Sequence, residues 1–177
     1  TPVVSSAASD VYKRQVARVM KNLNFKNLRI VNPRDGWPNQ DVISTAAGAD
    51  DVIKNTKVFD NVSEACNDLN YLFASSARKR DLNIKTLNLV NTVSSLNKTE
   101  FFRNDFKFGI LFGCESSGLS NEDLITANQL IYIPSNSDFS SLNISHAVSL
   151  ICWEFFKFFN DSSSVSYTHL RAHETEY

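Results

Sequence analysis

The stretch FGILFGCESSGLSNEDL, residues 108–124, together with IYIPSNSDFSSLNISHAV, residues 131–148, decides the fold of this chain. In each block a short apolar strand runs directly into a turn rich in Gly, Ser or Asn, and then into a helix. Open α/β sheets bind ligands at the carboxyl ends of their strands. The two blocks therefore predict neighbouring strand ends that present backbone N–H groups and small side chains to a ligand.

Outward from these blocks, strand-like runs alternate with segments of helical spacing. Further strands are predicted at 27–33, 57–59 and 71–77, followed by a polar loop to about Asn88. Helices are predicted at 16–24, 41–53 (broken near Gly48), 64–69 (capped by Ser63), 89–97 and 143–159. Continuous apolar strands alternating with helices predict an α/β fold, a mostly parallel sheet flanked by helices.

The two ends of the chain differ from its body. Two terminal stretches resemble translated sequencing-adapter sequence: residues 1–15, and residues 165–177 of the tail 161–177. Neither end has a sustained apolar period. We therefore predict that 1–15 is a non-native segment and that 161–177 is a non-native or disordered tail, and both are excluded from the prediction of the fold. The remaining body, 16–160, is long enough for one domain with a substantial core.

Composition excludes several classes of protein. The chain has a net charge of −1 and its body is formally neutral, so general binding of nucleic acid by phosphate neutralisation is not favoured. Its three cysteines, Cys66, Cys114 and Cys152, have no metal-ligand spacing and form no disulfide framework. No metal site is predicted. With no signal peptide and no long apolar run, we expect a cytoplasmic protein without a membrane span.

The two opening blocks resemble motifs 2 and 3 of the SpoU (TrmH-like) RNA 2′-O-ribose methyltransferases, a branch of the SPOUT superfamily. The resemblance extends to VARVMKNLNFKNLRIVNPRDGWPN at 16–39, AAGADDVI at 46–53 and ASSARKRD at 74–81, and is greatest to the TrmJ-type subgroup that modifies tRNA. It implies a SpoU-type methyltransferase domain over 16–160 with an α/β trefoil knot. The strand that precedes the family's first motif is expected to be missing here.

The resemblance also implies the reaction and its cofactor. The expected function is S-adenosylmethionine-dependent 2′-O-ribose methylation of RNA, at an anticodon-loop nucleotide of tRNA. The cofactor would be held in a bent pose by three loops, in which glycines permit close backbone approach and positive φ. The matching cofactor-binding residues are Ser75, Ser76, Ala77, Gly113, Ile133, Ser140, Ser141 and Leu142.

Three polar residues match the catalytic positions of the family. Arg18 would grip the phosphate beside the target ribose and lower the pKa of the 2′-hydroxyl, since a guanidinium is nearly always charged. Glu115 would orient that guanidinium, and Asn143 would hydrogen-bond the ribose or the turn. RNA contacts are expected from Arg18 and from the basic triplet Arg78, Lys79 and Arg80. Tyr12 and Arg14 depart from the Asn and Gly of the first motif.

The same resemblance implies a homodimer. The helix at 143–159 has an apolar stripe that can cover the sheet, formed by Ile144, Val148, Ile151, Cys152, Phe155 and Phe159. Trp153 and Phe156 lie off that stripe and are predicted to be buried between two chains.

Two other functions stay open. A catalytically inactive RNA-binding domain of the same fold is the first. A serine hydrolase, with Ser117, Asp138 and His146 in the order of an α/β-hydrolase, is more remote because the G-x-S-x-G nucleophile motif is absent. A dehydrogenase is excluded, since no G-x-G-x-x-G follows any strand.

Overall fold

A computed structural model describes residues 2–4, 10–33, 37, 48–77, 82–114 and 116–160. Its described strands form one seven-stranded sheet of order β3-β2-β1-β6-β4-β7-β5, in which every neighbouring pair is parallel. The strands are β1 Pro2–Val4, β2 Arg29–Val31, β3 Lys57–Phe59, β4 Tyr71–Ser75, β5 Thr86–Asn88, β6 Phe108–Phe112 and β7 Gln129–Tyr132. This confirms the predicted parallel α/β fold.

The central strands are covered on both faces, as their unbroken apolar sequence predicts. Side chains alternate between faces along a strand, so Phe73 of β4 packs in one core layer while Leu72 and Ala74 pack in the other. In β6, Ile110 and Leu111 divide in the same way. The sheet therefore separates two cores, one rich in phenylalanine and one made mainly of Leu, Ala and Val.

Seven helices are described around the sheet, and all but the last lie between successive strands in the chain. They are α1 Asp10–Asn22, α2 Asp50–Lys54, α3 Val62–Cys66, α4 Leu89–Ser94, α5 Lys98–Phe101, α6 Asn121–Ile125 and α7 Ile144–Asn160. The long helices α1 and α7 pack together on the phenylalanine-rich face. No helix in the described ranges is long and apolar enough to cross a membrane.

The amino-terminal residues correct two predictions. Residues 2–4 form β1, which pairs with β2 on one side and β6 on the other, and α1 begins at Asp10. Lys13 is buried at 3% exposure, with its Nζ 5.3 Å from the ring centroid of Trp37. The expectation that the first strand is missing is therefore wrong, and the exclusion of 1–15 from the fold is corrected as well, because residues 2–4 and 10–15 belong to β1 and α1. That this segment is non-native in sequence stays a prediction.

Several local predictions also differ from the structure. The oxygen of the Asn61 side chain accepts a hydrogen bond from the Glu64 N–H at 2.9 Å, so Asn61 caps α3 and Ser63 lies inside the helix. Strand β5 falls where a polar loop was expected, and α5 was not predicted. The prediction for 41–53 lies mostly outside the described residues, which give α2 at its end.

The carboxyl-terminal helix follows the predicted stripe with one change. Ile144, Val148, Ile151, Cys152 and Phe155 are buried, but Phe158 is buried where Phe159 was expected, and Phe159 is half-buried. At 3.6 residues per turn, a stripe that passes through Phe155 reaches 158 or 159 next, and both spacings lie on the same face. The trefoil knot stays a prediction. The non-native or disordered tail at 161–177 also stays a prediction, since these residues lie outside the described part.

Candidate active site

A cleft opens at the carboxyl edge of the sheet, where β6, β4 and β7 are neighbours. The segments that follow these three strands line it because parallel strands end at the same edge. The cleft brings together every residue predicted to bind the cofactor: Ser75, Ser76, Ala77, Gly113, Ile133, Ser140, Ser141 and Leu142. Their meeting in one place is a finding of the structure, and their binding of a cofactor stays a prediction.

Hydrogen bonds hold the three lining segments in place. The N–H of Ser76, just after β4, donates to the carbonyl of Ile131 in β7 at 2.9 Å. After β6, the Gly118 N–H donates to the Cys114 carbonyl at 2.9 Å and closes a tight turn. The hydroxyl of Ser135 donates to the carbonyl of Ser140 at 3.1 Å, across the loop that follows β7. Hydrogen bonds within the chain therefore hold all three segments that form the cleft.

Two glycines make the turn after β6, and they do so for different reasons. Gly118 has φ +69, a left-handed conformation that favours glycine, and a Cβ there would meet nothing within 4 Å. A Cβ on Gly113 would lie 2.3 Å from the carbonyl carbon of Gly118 and 2.4 Å from the Leu119 nitrogen. Gly113 thus allows the turn to close on itself, and it needs no positive φ.

Cys114 lies in this turn and also lines the cleft. Its Sγ is 2.8 Å from the Ser117 hydroxyl and 3.6 Å from that of Ser116. Partial burial raises the pKa of the thiol, but the hydrogen bonds with the two serines outweigh it and lower the pKa below its usual value. Burial is the main cause that raises the pKa of Cys66 to about 11, with the charges of Arg29 and Asp68 acting in opposite directions, and burial raises the pKa of Cys152 further, to about 12.

Of the three predicted catalytic residues, the two that the structure describes, Arg18 and Asn143, are not among the residues that line the cleft. Arg18 is exposed on α1 and is not among the residues that line the cleft, while Glu115 lies outside the described residues. The side-chain oxygen of Asn143 accepts from the N–H and hydroxyl of Ser145 at 2.9 and 2.8 Å. Asn143 therefore caps the amino end of α7, which positions the cleft wall formed by Ile144 and Ala147.

The predicted basic RNA contacts cannot be placed. Arg78, Lys79 and Arg80 all lie outside the described residues, directly after the Ser75–Ala77 segment. Their role in binding RNA stays a prediction.

The hydrolase alternative finds no support in the described residues. The Ser117 hydroxyl contacts Cys114 Sγ, and Asp138 hydrogen-bonds only with its own loop neighbours. His146 is exposed in the first turn of α7. No hydrogen bond in the described part joins the three side chains into a catalytic chain.

Sequence reasoning missed part of the cleft lining. Phe112, Cys114, Ile144 and Ala147 also line it, together with Gly118 of the predicted turn. Their proximity to the quoted motifs could have indicated them, because each of the four lies within one to five residues of a predicted position. Among the described residues, no group of three or more His, Cys, Asp or Glu side chains could hold a metal ion.

Comparison with known proteins assigns the family. The sequence profile of the SpoU rRNA methylase family matches residues 15–153, most of the chain. The chain belongs to the SpoU rRNA methylase family. The match begins at residue 15, close to the boundary predicted between the unusual amino-terminal segment and the body.

The relatives include tRNA methyltransferases. The chain is 33% identical over 138 residues to an uncharacterised tRNA/rRNA methyltransferase of Haemophilus influenzae, covering 78% of this chain and 54% of the relative. It is 33% identical to TrmJ of Methanocaldococcus jannaschii, named a tRNA (cytidine-2′-O-)-methyltransferase, covering 80% of this chain and 60% of the relative. The chain thus spans about half the length of the curated relatives that it matches.

Solved structures have the same fold. The crystal structure of TrmJ from Z. mobilis ZM4 has a TM-score of 0.78 and 33% identity, with coverage of 89% of this chain and 69% of that one. The A. aeolicus TrmH/SpoU tRNA-modifying enzyme has a TM-score of 0.69 at 16% identity, over 91% of this chain and 75% of that one. The predicted resemblance to TrmH-like and TrmJ-type proteins is confirmed.

Proposed function

We propose that this chain catalyses S-adenosylmethionine-dependent 2′-O-ribose methylation of RNA, at an anticodon-loop nucleotide of tRNA. The observation that supports it is the cleft at the carboxyl ends of β4, β6 and β7, formed by three motif segments in a member of the SpoU family. Relatives at about a third identity are named tRNA 2′-O-methyltransferases. A tRNA substrate also supports a cytoplasmic location.

The chemistry of the cleft fits the proposed cofactor. Ile133 and Leu142 offer apolar surface to an adenine ring, while the serines and the backbone near Gly113 offer hydrogen-bonding groups to its polar parts. When bound, S-adenosylmethionine supplies an electrophilic methyl group on a sulfonium. The protein's part is to orient the two reactants and to promote loss of the hydroxyl proton. Ser75, Ser76, Ala77, Ser140 and Ser141 complete the proposed cofactor site.

Arg18 is the proposed electrostatic group. Its guanidinium would hold the phosphate beside the target ribose and lower the pKa of the 2′-hydroxyl, with Glu115 orienting it. Asn143 is proposed to act through the turn that it caps, since Ser145 engages its side-chain oxygen. The triplet Arg78–Arg80 would contact RNA beside the cleft.

A homodimer would reconcile the position of Arg18 with this role. Arg18 is exposed and stands apart from the cleft lining, so we propose that a second chain's cleft receives it. The surface proposed to pair is the groove between α1 and α7, lined by Val19, Leu23, Leu150 and Trp153. Trp153 is 48% exposed and its ring stacks on Phe156 at 5.8 Å, a pair of aromatics suited to an interface.

A catalytically inactive RNA-binding domain is the second candidate. Tyr12 and Arg14 stand where the family's first motif has Asn and Gly, and this favours a loss of catalysis. Such a domain would bind RNA whether or not S-adenosylmethionine is present. An active enzyme binds the cofactor by itself.

One experiment tests the proposal. The protein is incubated with methyl-labelled S-adenosylmethionine and bulk tRNA, and the labelled nucleotide is mapped after digestion. Label on a ribose 2′-oxygen in the anticodon loop supports the proposal, and label on a base contradicts it. Absence of label with cofactor-independent RNA binding supports the inactive domain. Light scattering in the same buffer measures the mass of the particle, and a monomer at micromolar concentration overturns the proposed dimer.

A further inference from the structure

Phe139 stands out among the aromatic residues because it is the most exposed large hydrophobic side chain in the described part of the chain, at 79%. All 13 phenylalanines of the sequence lie in that part, and apart from Phe139 only Phe102 is exposed, at 42%. Phe102 has ring contacts with Phe158 and Phe159 at 5.6 and 5.3 Å. No ring among the described residues contacts Phe139.

The exposure of Phe139 results from a structured loop. Its N–H donates to the carbonyl of Asn136 at 3.1 Å, and the Asp138 N–H donates to the Asn136 side chain at 3.0 Å. The Ser135 hydroxyl donates to the carbonyl of Ser140, the residue after Phe139, at 3.1 Å. Turn hydrogen bonds therefore hold the backbone on both sides while the ring points into solvent.

The place of Phe139 in the chain makes its exposure relevant to the cleft. A single exposed apolar side chain is common on protein surfaces and needs no explanation by itself. Phe139, however, directly precedes Ser140, Ser141 and Leu142, which line the cleft. The exposed ring is therefore carried by the residue next to the cleft lining, on the loop between β7 and α7 that forms one wall of the cleft.

The chemistry of RNA suggests what would cover this ring. Unpaired bases stack on aromatic side chains, and every base has a face that can do so. The chain has a net charge of −1, so attraction to phosphates supplies little general affinity. Stacking needs no charge, and the carboxylate of the preceding residue, Asp138, disfavours a phosphate at this loop.

We propose that Phe139 is a stacking platform for an unpaired base of the RNA substrate, beside the ribose that is methylated. The inference rests on the proposed function and adds a contact with the substrate to it. Phe139 acts by positioning the nucleotide, and it takes no part in holding the cofactor.

Four variants test this role. Phe139→Ala removes the ring, Phe139→Leu keeps apolar volume without an aromatic face, and Phe139→Trp keeps a face. Ile125→Ala is the matched control, because Ile125 is also an exposed apolar residue, at 65%, and does not line the cleft. Dissociation constants are measured for bulk tRNA by filter binding and for S-adenosylmethionine alone by calorimetry.

The Ala and Leu variants are expected to weaken tRNA binding about tenfold, the scale of losing one stacked base. The Trp variant and the control are expected to match the parent, and all variants are expected to bind S-adenosylmethionine equally. The slope of log affinity against log salt should stay constant, since no phosphate contact is lost.

Three outcomes overturn the inference. They are unchanged tRNA affinity in Phe139→Ala, parental affinity in Phe139→Leu, and a matching loss of S-adenosylmethionine affinity, which would make Phe139 a cover for the cofactor. A parent protein that binds neither tRNA nor S-adenosylmethionine contradicts the proposed function itself. A parent that methylates tRNA alongside an equally active Phe139→Ala contradicts only the role of Phe139.

Discussion

At the carboxyl edge of the sheet, β4, β6 and β7 run into loops whose described cleft-lining residues carry no charged side chain, whereas charged side chains border the amino edge. At that amino edge Arg29 forms a two-point ion pair with Asp68, one contact of which is Nη2 to Oδ2 at 2.9 Å. Arg29 also donates to the carbonyl of Ala65, and Lys107 Nζ lies 3.7 Å from Asp68 Oδ2.

This difference in charge indicates that the two edges of the sheet have different roles. The groups at the amino edge pair with one another and join the starts of β2, β4 and β6, which indicates a structural role. The carboxyl edge keeps hydroxyls and backbone groups around an open cleft, which suits a ligand. Substitutions that remove polar side chains at the two edges should therefore change different observables, whereas glycine substitutions in the turn after β6 should act on folding.

The largest expected effect is on the rate of methyl transfer. Arg18→Ala is expected to lower the rate about 100-fold or more, the scale of losing a preorganised electrostatic group. Its melting temperature should stay unchanged, because Arg18 is exposed while Val16, Ala17 and Met20 of the same helix are buried.

Lys21→Ala is the matched control for Arg18. It removes another exposed cation of α1, whose Nζ is 2.8 Å from Asp51, and such a surface pair contributes little. Full activity of Arg18→Ala in labelled-methyl assays, with normal melting, would remove Arg18 from the mechanism.

Next comes Gly113→Ala, a substitution at the carboxyl edge that should act on folding. The new Cβ meets backbone atoms of Gly118 and Leu119, which cannot move aside as a flexible side chain can. We expect a loss of about 2 to 3 kcal/mol in the free energy of unfolding. Any loss of cofactor binding in this variant would follow from the distorted turn.

Gly118→Ala is the comparison within the same turn. Its Cβ has open space and only the left-handed φ of +69 opposes it, so we expect a loss of about 1 kcal/mol. Urea titration of both variants gives the order, and a larger loss at Gly118 than at Gly113 would contradict the geometry of the turn.

Trp153→Glu tests whether the cleft needs a second chain. We expect at least about 30-fold weaker dimerisation, the scale of losing an interface anchor, with helical content retained and methylation lost. Light scattering and circular dichroism measure these. Val90→Glu is the control, because Val90 is 61% exposed on another helix. Equal masses for parent and Trp153→Glu would exclude α7 as the interface.

The smallest effect is expected at the amino edge. Asp68→Asn should lower the free energy of unfolding by about 1 kcal/mol or less, because the Asp68 side chain is 40% exposed and solvent screens the pair. Binding of S-adenosylmethionine should not change. A loss of cofactor affinity would break the separation between the two edges.

The same residue predicts a pH dependence. The hydrogen bonds from Arg29 hold the pKa of Asp68 at about 2, below the usual value of about 4. A carboxyl with a lowered pKa in the folded state contributes stability above about pH 4, and the contribution is lost as the pH falls toward 2. Acid titration should therefore destabilise the parent more than Asp68→Asn in this window. Parallel curves would contradict the ion pair.

The sequence predicted the central strands well because their apolar runs are continuous. In β4, β6 and β7 most side chains are buried, and their turn-rich continuations marked the cleft. Strand β5 has three half-buried residues and no apolar run, so pairing with β7 decides its conformation. The choice of Asn61 over Ser63 as a helix cap depends on one backbone N–H, which composition cannot specify.

The sequence predicted residues that line the candidate site, but it did not predict where Arg18 and Asn143 lie relative to that site. Gly113 lines the cleft and its binding of a cofactor stays a prediction, while its close neighbour is the backbone of its own turn. Asn143 was predicted to hydrogen-bond the ribose or the turn, but its side-chain oxygen accepts from Ser145 and caps α7. Sequence alone does not separate these roles, because an Asn amide suits both. Sequence position also gave no sign that Arg18 stands apart from the cleft of its own chain.

The three residues of β1 have a consequence for how much sequence variation this fold tolerates. They pair on both sides through backbone groups, with β2 and with β6, and such pairing recognises an extended chain more than particular side chains. The space between β2 and β6 can therefore accept any segment that adopts an extended conformation, including one of unrelated sequence. An amino-terminal replacement can then preserve the sheet while altering the motif that follows it, so intact architecture and retained catalysis become separable properties.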